Sequence, residues 1–274
     1  MSLRIIPERM GLVPWILGTA AIIAISLGFF RRSVAFSQIG APAGDPVVLE
    51  LFTSQGCSDC PPADALLSEL GSSTKGVIPL AYHVDYWNHL GWSDPFSSRE
   101  FSQRQSDYAR AMNLPEQYTP QMVVGGASQF VGSDAGRIER AISVAHSASA
   151  PGRVSLHASL DAKSPQSLQI KVKAQLDPAS TSGSYVVMVA VYENGLVTKI
   201  GAGENGGREI TYDYTVRKLV PALQLAGAQA VEKEVTVDLD PSWSTNRLGA
   251  AAFIQNTSSL KIIGAASEYP IARD

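Results

Sequence analysis

The chain has 274 residues, with 22 basic and 25 acidic side chains and a formal net charge of −3. That balance excludes a nucleic-acid binder relying on a strong positive field. At 45% hydrophobic and 17% charged residues it can bury a sizeable core and is not a disordered polymer. Two cysteines exclude a multi-bridge scaffold and an all-cysteine zinc cluster, so any thiol chemistry belongs to a single pair.

From Leu12 to Phe30 the sequence runs 19 residues without a charge, close to the length that crosses a bilayer core. Arg4 and Arg9 precede it and Arg31 and Arg32 follow, so the flanks give no orientation. Ser33-Val34-Ala35 supplies the small residues a signal peptidase reads. Residues 1–36 are therefore expected to be a signal peptide or a transmembrane anchor, and both readings imply an extracytoplasmic chain. Residues 37–46, rich in glycine, alanine and proline, read as a linker.

Val47 to Phe52 is an apolar run broken only by Glu50, as expected of a strand covered on both faces. The segment from Thr53 to Pro62 contains Cys57-Ser58-Asp59-Cys60, and Ala63 to Leu70 has a helical apolar period with Gly71 as a stop. Val77 to Asp85 reads as a second strand, followed by an aromatic loop with Tyr86, Trp87 and Trp92. Ser97 and Glu100, three apart, read as a capping box before a helix striped by Phe101, Tyr108, Ala109 and Met112. Thr119 to Gly126 and Ser128 to Val131 form a predicted hairpin, and Ile138, Ala141, Ile142 and Ala145 stripe a closing helix. Strands alternating with helices over residues 47–150 imply a three-layer α/β domain.

A Cys-x-x-Cys at the end of the first strand, with Thr119-Pro120 before a later strand, resembles the thioredoxin fold. Glu50 to Asp64, His83-Val84-Asp85-Tyr86-Trp87, Tyr118 to Val124, and Gly203-Glu204-Asn205 with Arg208 are similar to the secreted proteins gathered as domain-of-unknown-function family 1223. The resemblance implies a thioredoxin-like domain and supplies no activity.

Cys57 is expected at or just before the first helical turn, where backbone N–H groups and the helix dipole favour the thiolate. In the redox reading Cys57 attacks a partner's disulfide or is itself attacked, and Cys60 resolves the mixed disulfide. Asp59 between them opposes thiolate formation, giving a less oxidising pair. The alternative is an inert staple, although a bridge closing four residues removes little unfolded-chain entropy. Thr119 and Pro120 match the position where thioredoxin-like proteins carry a cis-proline that presents backbone to substrate. The alternative is an ordinary trans-proline opening a strand. Glu50, a carboxylate in a buried strand, is either a proton acceptor for Cys60 or a solvent-facing glutamate.

If the first two strands are parallel, His83, Asp85, Tyr86 and Trp87 face the cysteines and line a substrate groove. A rival reading is a copper or zinc site of Cys57, Cys60, His83 and His89, a metallochaperone. From residue 152 the texture changes to short alternating strands at 154–160, 168–174, 185–192, 209–216, 231–239, 248–255 and 261–268. These predict an antiparallel β-sandwich over residues 152–274. Gly201 to Gly206 satisfies G-x-G-x-x-G, but a strand-like segment follows it, which excludes a nucleotide site. The loop instead carries Glu204, Asn205 and Arg208 toward the first domain, a partner or solvent.

The sequence thus points to an extracytoplasmic thiol-disulfide oxidoreductase with no bound cofactor, acting on a protein or small-molecule thiol or disulfide. It is expected to use a separate electron-transfer partner and to touch a membrane only through an uncleaved N-terminal helix. The alternative from a different class is a binding protein with a structural disulfide.

Overall fold

The computed structural model describes residues 45–161, 164–180 and 183–273. The predicted signal or anchor segment at 1–36 lies outside them. Among the described residues no helix is long and apolar enough to cross a membrane.

The first strand, β1 (Val47–Thr53), is buried throughout because it has a neighbour on each side and a layer on each face. Helix α1 (Pro61–Ser73) follows, then β2 (Val77–His83), which pairs parallel to β1. Gly71 lies inside α1 and does not stop it. A Cβ there would come within 2.6 Å of Pro79 and of the Tyr214 ring, so glycine permits a close helix–sheet approach. Helix α2 (Arg99–Ala111) starts one residue later than the predicted capping box, with the Ser98 side chain accepting from the Glu100 N–H at 3.1 Å. Then come β3 (Gln121–Val124), antiparallel to β1, its hairpin partner β4 (Ser128–Val131), and α3 (Ala135–Ser147).

The remaining strands are β5 (Gly152–Asp161), β6 (Ser164–Leu176), β7 (Tyr185–Glu193), β8 (Leu196–Lys199), β9 (Glu209–Tyr212), β10 (Thr215–Leu225), β11 (Val231–Asp238), β12 (Leu248–Asn256), β13 (Ile262–Glu268) and β14 (Ala272–Arg273). The strand predicted at 209–216 is divided: Tyr214 takes φ +55°, β9 pairs with β8, and β10 departs into a different sheet.

This departure overturns the expected α/β thioredoxin-like domain followed by a separate β-sandwich. Thr215 is in parallel register with Ala81, and the Ala81 N–H donates to the Tyr214 carbonyl at 2.8 Å. One mixed eight-stranded sheet results, in the order β13-β12-β7-β10-β2-β1-β3-β4. The physical reason is the edge of β2: an unpaired row of N–H and C=O groups must be covered, and β10 covers it. Periodicity reveals strands but not which edges they join.

The two faces of the large sheet are built by alternation along each strand. On one face Val48, Phe52, Leu80 and Tyr82 share a continuous core with Ala190, Tyr192, Ala251 and Phe253, under Phe101 and Tyr108 of α2. On the other face, Leu49 and Leu51 pack on Leu67 and Ile138 of α1 and α3. Farther along that face, Val187, Val189, Ala250 and Ala252 pack on Leu168, Ile170 and Val172 of a second sheet ordered β11-β6-β5-β14.

At the centre of the α2 face lies a buried polar knot. Arg104 Nε donates to Glu50 Oε1 at 2.7 Å, the Tyr108 hydroxyl donates to Glu50 Oε2, and Arg104 also donates to Gln255 of β12 at 3.1 Å. The Arg104 guanidinium lies over the Tyr82, Tyr108 and Phe253 rings. Removing one partner strands a buried charge. Arg104→Met is therefore expected to lower unfolding stability in urea by about 3–5 kcal/mol, whereas Glu50→Leu combined with Arg104→Met costs less than the sum of the two single changes.

Candidate functional site

Cys57 and Cys60 form a disulfide in the loop joining β1 to α1. Cys60 is the residue capping α1, and Pro61 and Pro62 occupy the first two helical positions. The prolines carry no N–H, so the helix offers these sulfurs its dipole but few free backbone donors. The sulfurs are nearly covered, with Cys57 2% exposed and Cys60 0%, while Ser58 and Asp59 between them are exposed.

The backbone around them is bound from the other half of the chain, through the loop between β8 and β9. Asn205 Nδ2 donates to the carbonyl oxygens of Gln55 at 3.0 Å and Cys57 at 2.7 Å. Arg208 Nη1 donates to Asn205 Oδ1 at 2.7 Å, which fixes the amide's orientation. The Glu204 carboxylate accepts the Ser58 N–H at 3.0 Å, and this backbone bond holds its carboxyl below the usual range. Gln55 is a further hinge point, donating to Thr198 of β8 at 3.2 Å and accepting from the Trp92 indole at 2.9 Å.

Behind the disulfide sits a buried titratable cluster. His83 Nδ1 and Asp94 Oδ2 are 2.7 Å apart, and the Gln55 N–H donates to the same Asp94 oxygen at 2.9 Å. Burial opposes the His83 charge, but Asp94 outweighs it and holds the imidazole above its ordinary pKa. Asp94 is correspondingly lowered: burial acts against it, and His83 and the backbone donors prevail. Asp64 stands one turn after Cys60 on α1, and neither of its carboxylate oxygens has a hydrogen-bond partner of ordinary geometry. Burial raises its pKa from 3.8 to about 6, against the opposing pull of His83. Thr53 Oγ1 and His83 Nε2 are also buried without partners, and strand register sets Thr53 beside His83.

The residues singled out from sequence are distributed unequally. Trp87 lies against Gly56, where an added Cβ would come within 3.1 Å of the Trp87 Cβ, and its indole donates to Thr119 Oγ1 at 2.8 Å. Thr119-Pro120 is a cis peptide. Asp85 instead turns to Ser102 of α2, and the Tyr86 hydroxyl donates to Gln105 of α2 at 3.0 Å. Burial raises the Tyr86 pKa to about 12. Glu50 lies on the α2 face, paired with Arg104, whereas Leu49 and Leu51 face α1. His89 is exposed, with Nδ1 at 2.8 Å from the Tyr86 carbonyl. Among the described residues no three His, Cys, Asp or Glu side chains are arranged to hold a metal ion.

Sequence reasoning passed over Asp64, Asp94 and Gln55. Only Asp64 left a usable signal, its i, i+4 spacing from Cys60 on a helix.

The Asp64 shift has a consequence for stability. The folded chain retains this proton up to about pH 6, whereas an unfolded aspartate releases it near 3.8. The resulting stabilisation is full below 3.8 and is lost as pH rises through 6, on the order of 3 kcal/mol for a shift of about two units. Asp64→Asn should flatten this part of the stability curve between pH 4 and 7, read as the difference between the two proteins in urea unfolding.

In comparison with solved structures, a protein of Agrobacterium tumefaciens determined by X-ray crystallography superposes with a TM-score of 0.63 at 27% identity. The match covers 83% of this chain and 94% of that one. HBP35 of Porphyromonas gingivalis superposes with a TM-score of 0.62 at 16% identity, covering 82% of this chain and 75% of that one, a likeness of fold alone. No curated protein matches. Residues 48–255, which include the disulfide, the buried cluster and the β8–β9 loop, match DUF1223, proteins of unknown function, and the chain belongs to that family.

Proposed function

We propose that the protein is an extracytoplasmic thiol-disulfide oxidoreductase that exchanges Cys57–Cys60 with a partner's thiols. The observation that carries this reading is a disulfide spanning only residues 57–60, set at a strand-to-helix junction with a buried carboxyl of raised pKa one turn behind it. So short a bridge does little for stability, and the Asp64 carboxyl is a buried group that costs stability without packing in return. The apolar run at 12–30 and the preference of disulfides for oxidising compartments support the location.

In the reducing direction a thiolate of a dithiol partner attacks Cys57 Sγ, of the cysteine that keeps residual exposure. The Cys57–Cys60 bond breaks, a mixed disulfide with Cys57 forms, and Cys60 leaves as a thiolate. Asp64, protonated up to about pH 6, is the nearest acid along α1 to return a proton to it. The partner's second thiolate then attacks its own sulfur in the mixed disulfide, releasing Cys57. The partner becomes a disulfide, and the protein gains two electrons and two protons. Thr119-Pro120 and Trp87 flank the site where the partner would lie.

Burial of both sulfurs favours a second reading, a permanent bridge in a binding protein. Titration in glutathione buffers with thiol trapping separates the two. The oxidoreductase is expected to reduce reversibly while folded, and Cys60→Ser to accumulate a mixed disulfide that Cys57→Ser does not form. A bridge that resists reduction until the chain is denatured overturns the proposal.

A further inference from the structure

The loop between β8 and β9 approaches the disulfide from about 150 residues away in sequence and binds three backbone positions beside it, at residues 55, 57 and 58. Asn205 is fully buried, and its amide is used completely: both donor bonds go to the Gln55 and Cys57 carbonyls, and its oxygen is held by Arg208. Glu204 takes the Ser58 N–H. Gly203 takes φ +76°, a conformation that L side chains rarely adopt, and lies against Gly56 and Trp92. Asn205, anchored outside residues 57–60, thus grips the Cys57 peptide from across the fold.

We propose that Asn205 is a positioning residue that sets the redox poise of the pair, holding Cys57 within reach of Cys60 whether or not they are bonded. This rests on the thiol-disulfide reading. A disulfide forms more favourably when its two thiols are already restrained at bonding distance, because less conformational freedom is lost on closure. Reduction breaks the S–S bond, but the grip on the Gln55 and Cys57 carbonyls involves no sulfur and persists. The clamp therefore favours the oxidised form. A dithiol must supply two electrons and two protons to open the bridge, and does so against this restraint.

The test is the equilibrium between the folded protein and dithiothreitol, read by thiol trapping, for the full chain and for Asn205→Ala. The variant is expected to shift about tenfold toward the reduced protein, a rise of about 30 mV in reduction potential. Glu204→Gln, which keeps an acceptor for the Ser58 N–H, should stay near the parent. An unchanged or lowered potential in Asn205→Ala overturns the inference even where the parent reduces reversibly. If the parent cannot be reduced while folded, the oxidoreductase reading fails separately, and the clamp is then tested by unfolding alone. In that case Asn205→Ala should destabilise the disulfide form about tenfold more, as an equilibrium constant, than it destabilises a Cys57→Ser, Cys60→Ser background. Equal destabilisation of the two overturns the proposal, since a residue that only supports the fold would cost both forms alike.

Discussion

The hydrogen bond from the Ala81 N–H to the Tyr214 carbonyl, with the Thr215–Ala81 register beside it, is a small contact with large consequences. It converts the outer edge of β2 into an interior position and fuses two sets of strands into one sheet. Because β9 ends at Tyr212, two residues before that hydrogen bond, anchoring Tyr214 and Thr215 also fixes where the β8–β9 hairpin can reach. The hairpin loop lies on residues 55–58. The β2–β10 seam acts with the Gln55–Thr198 hydrogen bond and the His83–Tyr212 ring contact in bringing Asn205 to Cys57. The candidate site is thus a product of the joined sheet rather than of the segment that carries the cysteines.

Two buried polar clusters flank β1 and differ in their accounts. Glu50, Arg104, Tyr108 and Gln255 satisfy one another on the α2 face, and the cluster ties β1 to β12. On the α1 face, Asp64, Thr53 Oγ1 and His83 Nε2 remain without partners, although Asp94 and His83 are paired. Buried polar groups normally find partners, and leaving one unmade costs about 1–3 kcal/mol. The satisfied cluster is explained by cohesion. In the other, Asp64 stands one turn after Cys60, and on the proposed exchange reading its cost would have a chemical use.

How much of this was legible follows from what each pattern encodes. The apolar run at 47–52, the helical stripes of α2 and α3, and the Cys-x-x-Cys between strand and helix are local features, and local periodicity found them. Glu50 stood out as the lone charge in an apolar run, and a period of two already assigned it to the face opposite Leu49 and Leu51. Only the register of α2 could say that Arg104 waited there. Asp64 was hidden by its position among ordinary helix residues. Gly71 read as a stop because sequence cannot show Tyr214 pressing on it. Asn205 was visible as part of a glycine-rich loop, but its partners lie about 150 residues upstream, and no spacing rule spans such a distance. Most strands of the second half were recognised individually, but β8, β14 and most of β10 were missed, and the set was misassembled, because alternation specifies a face and leaves the edge unspecified.

The near-complete burial of the sulfurs bears on both readings of the site. A short bridge contributes little by restricting the unfolded chain, so a purely structural bridge would gain nothing from the additional machinery packed around it. Yet two polar side chains from a distant loop, the charged Glu204 and the fully buried Asn205, bind its backbone, and Arg208 orients the second of them. Such investment is intelligible if the energy difference between the bonded and separated sulfurs matters, because restraining the backbone on one side of the bond alters that difference directly. The same hydrogen bonds leave Ser58 and Asp59 between the cysteines exposed. On the proposed reading, loosening Asn205 would alter the energy difference between bonded and separated sulfurs while leaving the sheet that carries them intact.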